Sequence, residues 1–180
     1  MTRDHFMNRR RVGRAVAIML FLVALGACGY HLKRSGFSAP EGVHTIAVTL
    51  LENQTSESGI ETVFTNDLAY EFTRSKVVGV VDADTADAVL SGSVKSMRVG
   101  TISHRADYAS AERRVTMTLD LTFMSREGRV LWSDPKVSDY EAYKVFPDDK
   151  FATDKSRREA IETISERVAE KVHNRILQGF

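Results

Sequence analysis

The segment Arg113–Met124, RRVTMTLDLTFM, narrows the choice of folds more than any other part of this chain. Val115, Met117, Leu119, Leu121 and Phe123 alternate with Thr116, Thr118, Asp120 and Thr122. Successive strand side chains point to opposite faces, so this strand buries one face and wets the other. A sheet built around it has its core on one side. SREGR, Ser125–Arg129, then reads as a hairpin turn in which Gly128 supplies a positive φ. It leads into VLWS, where Trp132 is expected in the core, and past Pro135 into a further edge strand with Tyr140 and Tyr143. Upstream, Ala88–Val99 is a strand whose phase changes. Leu90, Gly92 and Val94 share one face while Met97 and Val99 fall on the other, and a bulge near Ser96 reconciles them.

The rest of the chain supplies a cover for such a sheet. HTIAVTLL, His44–Leu51, is rich in β-branched and aliphatic residues and predicts a strand. After the polar loop ENQTSESG, Ile60, Val63, Phe64, Leu68 and Phe72 recur at helical spacing up to Ser75. KVVGVVD, Lys76–Asp82, predicts a second short strand, and the strand–helix–strand order favours parallel pairing. Near the end, Ser156 and Glu159 fit a capping box, with Thr153 and Asp154 as alternative caps. The helix that follows carries a stripe of Ile161, Ile164, Val168, Val172 and Ile176. Its charges, among them Glu162, Glu166, Arg167, Lys171 and Arg175, are expected on the opposite side. The expected fold is α+β: a two-layer sandwich of an about four-stranded mixed sheet with two helices on one face, one domain over residues 43–180.

The amino-terminal region has a different character. Arg3, Arg9, Arg10, Arg11 and Arg14 precede an apolar run, Ala15–Leu25, which is shorter than the roughly 20 residues a spanning helix needs. A basic region, a short apolar region and a small-residue exit are the parts of a secretory signal peptide. The exit, Leu25-Gly26-Ala27-Cys28, resembles a bacterial lipobox and contains the only cysteine of the chain. Residues 1–27 are therefore expected to be removed. Cys28 would carry S-linked diacylglycerol and an N-acyl group, and residues 28–42 would form a tether. The alternatives are ordinary cleavage near Ala27 that leaves a free thiol, or an uncleaved anchor. A lone unpaired cysteine in an exported chain is unusual, and several acyl chains hold a protein to a membrane as one cannot. Of 25 basic residues five precede Cys28, and of 24 acidic residues one does. The chain from Cys28 onward thus carries 20 basic and 23 acidic residues, net −3, which gives no argument for nucleic acid.

No catalytic constellation is apparent. His31, His44, His104 and His173 are isolated from one another and from Cys28, and no metal-ligand spacing occurs. His173, near a helix end, is expected at the surface beside terminal carbonyls. DADTAD, Asp82–Asp87, lacks the glycine and closing glutamate of a calcium loop and reads as a turn. Neither an enzyme nor a cofactor is expected. Basic residues offer more: Lys95, Arg98, Arg105, Arg113 and Arg114 gather around the connection between the two longest strands, with Tyr108 nearby. Guanidinium groups bind phosphate through paired donors, so a hairpin tip of this kind could meet an anionic glycolipid headgroup. The plainer reading is a charged hairpin that keeps strand edges soluble, and the nearby acids Asp107, Glu112 and Glu127 favour it. Tyr30, Phe37, Tyr108, Trp132, Tyr140, Tyr143 and Phe146 are candidate anchors for a protein partner or, more commonly, strand core.

Several segments in succession resemble the LptE family of lipopolysaccharide-assembly lipoproteins. These are CGYHL at Cys28–Leu32, TIAVTLLENQT at Thr45–Thr55, ADAVLSGSV at Ala86–Val94, RVTMTLDLTF with GRVLW between Arg114 and Trp132, and REAIETISERVAEKVHNRI near the end. The resemblance implies a lipid-anchored protein at the inner leaflet of the outer membrane. It implies a plug within a large LptD-type β-barrel, assisting both barrel assembly and lipopolysaccharide passage. Gly29, rather than aspartate, after the lipidated residue is compatible with outer-membrane sorting. Only Cys28 carries over as a site residue. A different class of outer-membrane lipoprotein, regulating cell-wall synthesis or building a secretion pore, shares the lipobox, the strand and an ENxT-like loop.

Overall fold

The computed structural model describes residues 38–103 and 111–178. Its elements follow as β1 (Thr45–Val48), β2 (Glu52–Asn53), α1 (Ile60–Ser75), β3 (Gly79–Val80), β4 (Ala88–Ser103), β5 (Ala111–Ser125), β6 (Val130–Val145) and α2 (Lys150–Gln178). The sheet runs β3-β1-β4-β5-β6, with β2 also beside β4. β1 pairs in parallel with both β3 and β4, whereas β4, β5 and β6 form an antiparallel meander. The two-layer α+β architecture stands. The sheet has six strands rather than about four, and one of the additional strands arises because the predicted first strand breaks in two. β1 stops at Val48, Leu51 turns into the core, and β2 resumes pairing with β4 at Ser93. The Leu51 N–H freed by this kink donates to the Thr65 hydroxyl of α1 at 3.1 Å.

The alternation of β5 is realised in full: all five apolar residues from Val115 to Phe123 are buried. Phe64, Leu68 and Phe72 of α1 and Ile164, Val168 and Val172 of α2 pack on that face. Each fully buried side chain of this size contributes about 1.5–3 kcal/mol relative to exposure. The change of phase in β4 is a bulge at Lys95, between the pairs Val94↔Leu119 and Ser96↔Thr118. It returns Met97 to the covered face. Gly92 sits where β4 and β5 nearly touch: a Cβ there would lie 2.0 Å from the Asp120 carbonyl oxygen, at φ +154°. Gly128, at φ +83°, closes the β5–β6 turn as expected.

Four expectations are corrected. The strand predicted over Lys76–Asp82 is only Gly79–Val80, because Lys76 ends α1 in a left-handed conformation, φ 56°. The terminal helix starts at Lys150, six residues before the predicted cap, and the Asp149 carboxylate accepts the Ala152 N–H at 2.9 Å. Ser156 does not cap it, since its hydroxyl accepts the Lys144 N–H of β6 at 3.1 Å. His173 is buried, its ring 5.2 Å from that of Phe72, rather than at the surface. Trp132 is half-buried at the margin of the core and Tyr143 is buried, while Tyr140 is exposed. Ser38–Gly42 already lie against the body: Ser38 N–H donates to the Leu177 carbonyl at 3.1 Å and Pro40 is buried.

Candidate functional site

The basic residues picked out from the sequence occupy the end of the β4–β5 ladder that leads toward residues 104–110. Arg98 pairs with Thr116, Gly100 with Arg114 and Thr101 with Arg113. Because side chains alternate along a strand, Arg98 and Arg114 share the uncovered face while Arg113 points to the helix side, in line with Val115. The convergence expected of all five therefore does not hold. Lys95, at the bulge, is drawn to Asp120 at 3.0 Å. Arg105 lies outside the described residues, as do Cys28 and Tyr108.

What the structure does bring together is Arg98, Arg114 and Tyr140. Arg98 and Arg114 are diagonal neighbours on adjacent strands, about 7 Å apart at Cβ. The Arg114 guanidinium lies over the Tyr140 ring, 4.6 Å from its centroid. Such a contact is worth about 0.5–1 kcal/mol at an exposed site and fixes the plane of the guanidinium. Gly100, opposite Arg114, adds no side chain beside it, and the space around it is open. Arg98, Arg113 and Arg114 form no ion pair among the described residues. Two exposed guanidiniums on one face, one of them braced by a ring, can hold a phosphate between them.

Tyr140 was singled out as a possible anchor, but its partnership with Arg114 depends on the β5–β6 register. The turn at Gly128 sets that register near Met124↔Val130. Beyond it, a bulge around Pro135 shifts the ladder between Leu121↔Asp134 and Leu119↔Val137, so that Tyr140 falls opposite Thr116. Proline in the strand was the one available signal.

The uncovered face below the arginines is lined with small hydroxyls in cross-strand rows. The hydroxyls of Thr118 and Ser138 lie 3.3 Å apart, as do those of Thr122 and Ser133. On the covered side a second basic set is fully engaged. Arg167 pairs with Glu141 at 2.6 Å and Asp139 at 3.3 Å, Lys171 with Asp139 at 3.0 Å, and Arg175 with Asp134. These helix cations were expected away from the sheet, and they clamp β6 instead. Burial pushes the Asp139 carboxyl up, but the Lys171 hydrogen bond, the Tyr140 N–H and the charges of Lys171 and Arg167 outweigh it and hold its pKa below the ordinary value.

Within DADTAD, Asp87 accepts the His44 N–H at 3.0 Å and both the N–H and the hydroxyl of Thr45 at 2.8 Å. The His44 N–H and then the Thr45 groups hold its pKa down. This carboxylate staples β1 to the start of β4. Among the described residues no three His, Cys, Asp or Glu side chains converge as a metal site would need.

Residues 43–176 match the family model described as LptE: Lipopolysaccharide-assembly. This chain belongs to the LptE family. That family is one of lipopolysaccharide-assembly lipoproteins without enzymatic activity. Among solved structures, the minor lipoprotein of Acinetobacter baumannii is similar, with a TM-score of 0.54 and 11% identity over 76% of this chain and 94% of that one. So is the uncharacterized lipoprotein B of Nitrosomonas europaea, with a TM-score of 0.53 and 10% identity over 83% of this chain and 90% of that one. At such identities the likeness is one of fold. No curated protein gives a significant match to the chain. The LptE match covers both helices nearly in full and all six strands, including the ladder that carries Arg98 and Arg114.

Proposed function

We propose that this LptE-family chain is an outer-membrane lipoprotein subunit of a lipopolysaccharide translocon. It seats in the lumen of an LptD-type β-barrel, assists that barrel's assembly and aids lipopolysaccharide transport to the surface. In this reading residues 1–27 are a leader that is removed, acylated Cys28 enters the membrane, residues 28–42 lead away from it, and residues 43–180 form the working domain. The observation that carries the reading is the family match over 43–176 behind a lipobox at Leu25–Cys28. The hydroxyl-rich uncovered face suits the polar interior of a large outer-membrane barrel. Lipopolysaccharide phosphate is proposed to meet Arg98 and Arg114 first. Arg113, on the helix side of the strand, is proposed to contribute with Lys95 and Arg105 only to the local positive field.

Two measurements test this. Intact mass of the protein extracted from membranes is expected to show a chain beginning at acylated Cys28; an unmodified thiol or a retained leader would overturn the anchor. Affinity purification from solubilised outer membrane is expected to bring down a large β-barrel. Recovery of a cell-wall synthase, or of a ring of identical subunits, would overturn the translocon reading.

A further inference from the structure

The outer edge of β6 is one of two long strand edges among the described residues, the other being the half of β4 beyond its pairing with β2; the far end of the sheet is only the two-residue β3. Unpaired ladder groups on such an edge are a template for adding another strand. Here most of the outward N–H groups from Lys136 to Phe146 are already occupied. The N–H groups of Lys136, Tyr140 and Ala142 donate to the carboxylates of Asp134, Asp139 and Glu141 at 2.9, 2.7 and 3.2 Å. Those of Lys144 and Phe146 donate to the hydroxyls of Ser156 and Thr153 of α2, at 3.1 and 2.8 Å. The carbonyls of Ser138 and Tyr140 accept from Lys171 and Arg167.

The three carboxylates share one design. In each, one oxygen takes an N–H of its own strand edge and the other takes a cation of α2. Asp134 joins Lys136 N–H to Arg175, Asp139 joins Tyr140 N–H to Lys171, and Glu141 joins Ala142 N–H to Arg167. A surface carboxylate samples many rotamers. A helix cation on its second oxygen holds the one that reaches back over the edge.

We propose that α2 is an edge guard: its cations and hydroxyls keep β6 closed to strand addition. Loosening them opens β6 to antiparallel pairing with β6 of a second copy. A strand paired with its own copy gives a two-fold, self-complementary contact. It needs no partner other than this chain, and β6, at 16 residues, is long enough for it. The inference requires neither the anchor nor the barrel and is independent of the lipopolysaccharide reading.

The test uses hydrogen exchange and analytical ultracentrifugation on the soluble form lacking residues 1–27 and on its Asp139→Val/Glu141→Val variant. In the unmodified protein the amides of Tyr140, Ala142, Lys144 and Phe146 are expected to exchange about tenfold or more below their intrinsic rates, the protection one net hydrogen bond gives. The protein is expected to remain monomeric. The variant is expected to dimerise with concentration and to gain new protection at Tyr140 and Ala142. A folded variant that stays monomeric at its solubility limit, with those amides unprotected, overturns the proposal. Should the variant not fold, exchange at intrinsic rates at all four amides of the unmodified protein overturns it equally.

Discussion

Two sets of basic residues lie on this molecule's sheet and its covering helix, and they have opposite fates. On α2, Arg167, Lys171 and Arg175 recur every fourth residue, and each is tied to a carboxylate of β6. On the β4–β5 ladder, Arg98, Arg113 and Arg114 carry the same charge without an ion pair among the described residues, and Arg114 rests on a ring instead. A cation beside a carboxylate holds the fold together. One beside tyrosine, glycine and threonine remains available to a ligand. For Arg98 and Arg114 the difference lies in what the neighbouring strand presents: hydroxyls and Tyr140 on the uncovered side of β6, against Asp and Glu on the covered side.

The comparison presupposes the register of β4 against β5, and Gly92→Ala attacks that register. Its methyl would collide with the Asp120 backbone carbonyl, so a loss of about 3 kcal/mol or more, or failure to fold, is expected in denaturant melts. A near-neutral result would mean that the close approach at Gly92 does not hold the ladder. Next in size is Arg167→Glu, which turns a shared partner of Asp139 and Glu141 into a third carboxylate. Arg167 is 40% exposed, so solvent screening limits the expected loss to about 2 kcal/mol. Lipopolysaccharide affinity is expected to be unchanged. Arg114→Glu should do the reverse, altering stability by no more than the roughly 1 kcal/mol of its contact with Tyr140 while lowering that affinity. If both variants lose stability and affinity alike, the division between the two sets fails.

Acid sharpens the same contrast. The carboxyls of Asp139 and Asp87 both titrate below their ordinary values in the folded chain. Their stabilising contributions are present above the unfolded carboxyl pKa of about 3.9 and fade as pH falls through the folded values. Melting temperature should therefore drop below about pH 4, and Asp139→Asn should flatten part of that drop. An unaltered acid profile in the variant would remove Asp139 from the clamp. The smallest effect expected is at Tyr140. A double-mutant cycle of Tyr140→Ala with Arg114→Ala should give a coupling of about 0.5–1 kcal/mol, and no coupling would unseat the brace.

How far the sequence reveals all this depends on the range of the interactions involved. The alternation in β5, the helical stripes, the Gly128 turn and the bulge beside Ser96 are local patterns, and each can be read from a dozen residues. The start of α2 cannot. Ser156 and Thr153 look like caps because their hydroxyls favour N–H groups, but the N–H groups they take belong to Lys144 and Phe146 of β6. The helix cations are misassigned for a related reason. Which side of α2 meets carboxylates depends on the β6 register, and the bulge around Pro135 sets that register. The separation of Arg113 from Arg114 is readable in principle, since adjacent strand residues cannot share a face. Only the phase of Val115 decides which of them joins Arg98. That the chain belongs to a lipopolysaccharide-assembly family is legible in the order of its motifs, whereas the pairing of Arg98 with Arg114 needs the folded ladder.

The most direct test of the division between the two cation sets is lipopolysaccharide binding, measured at low salt where charge contributes most. It compares the soluble chain, Arg113→Glu/Arg114→Glu and Arg167→Met/Lys171→Met. The account predicts about tenfold or greater loss for the hairpin variant, with barrel association intact, and unchanged affinity for any folded helix variant. Full binding by the hairpin variant, or loss confined to a folded helix variant, would contradict it.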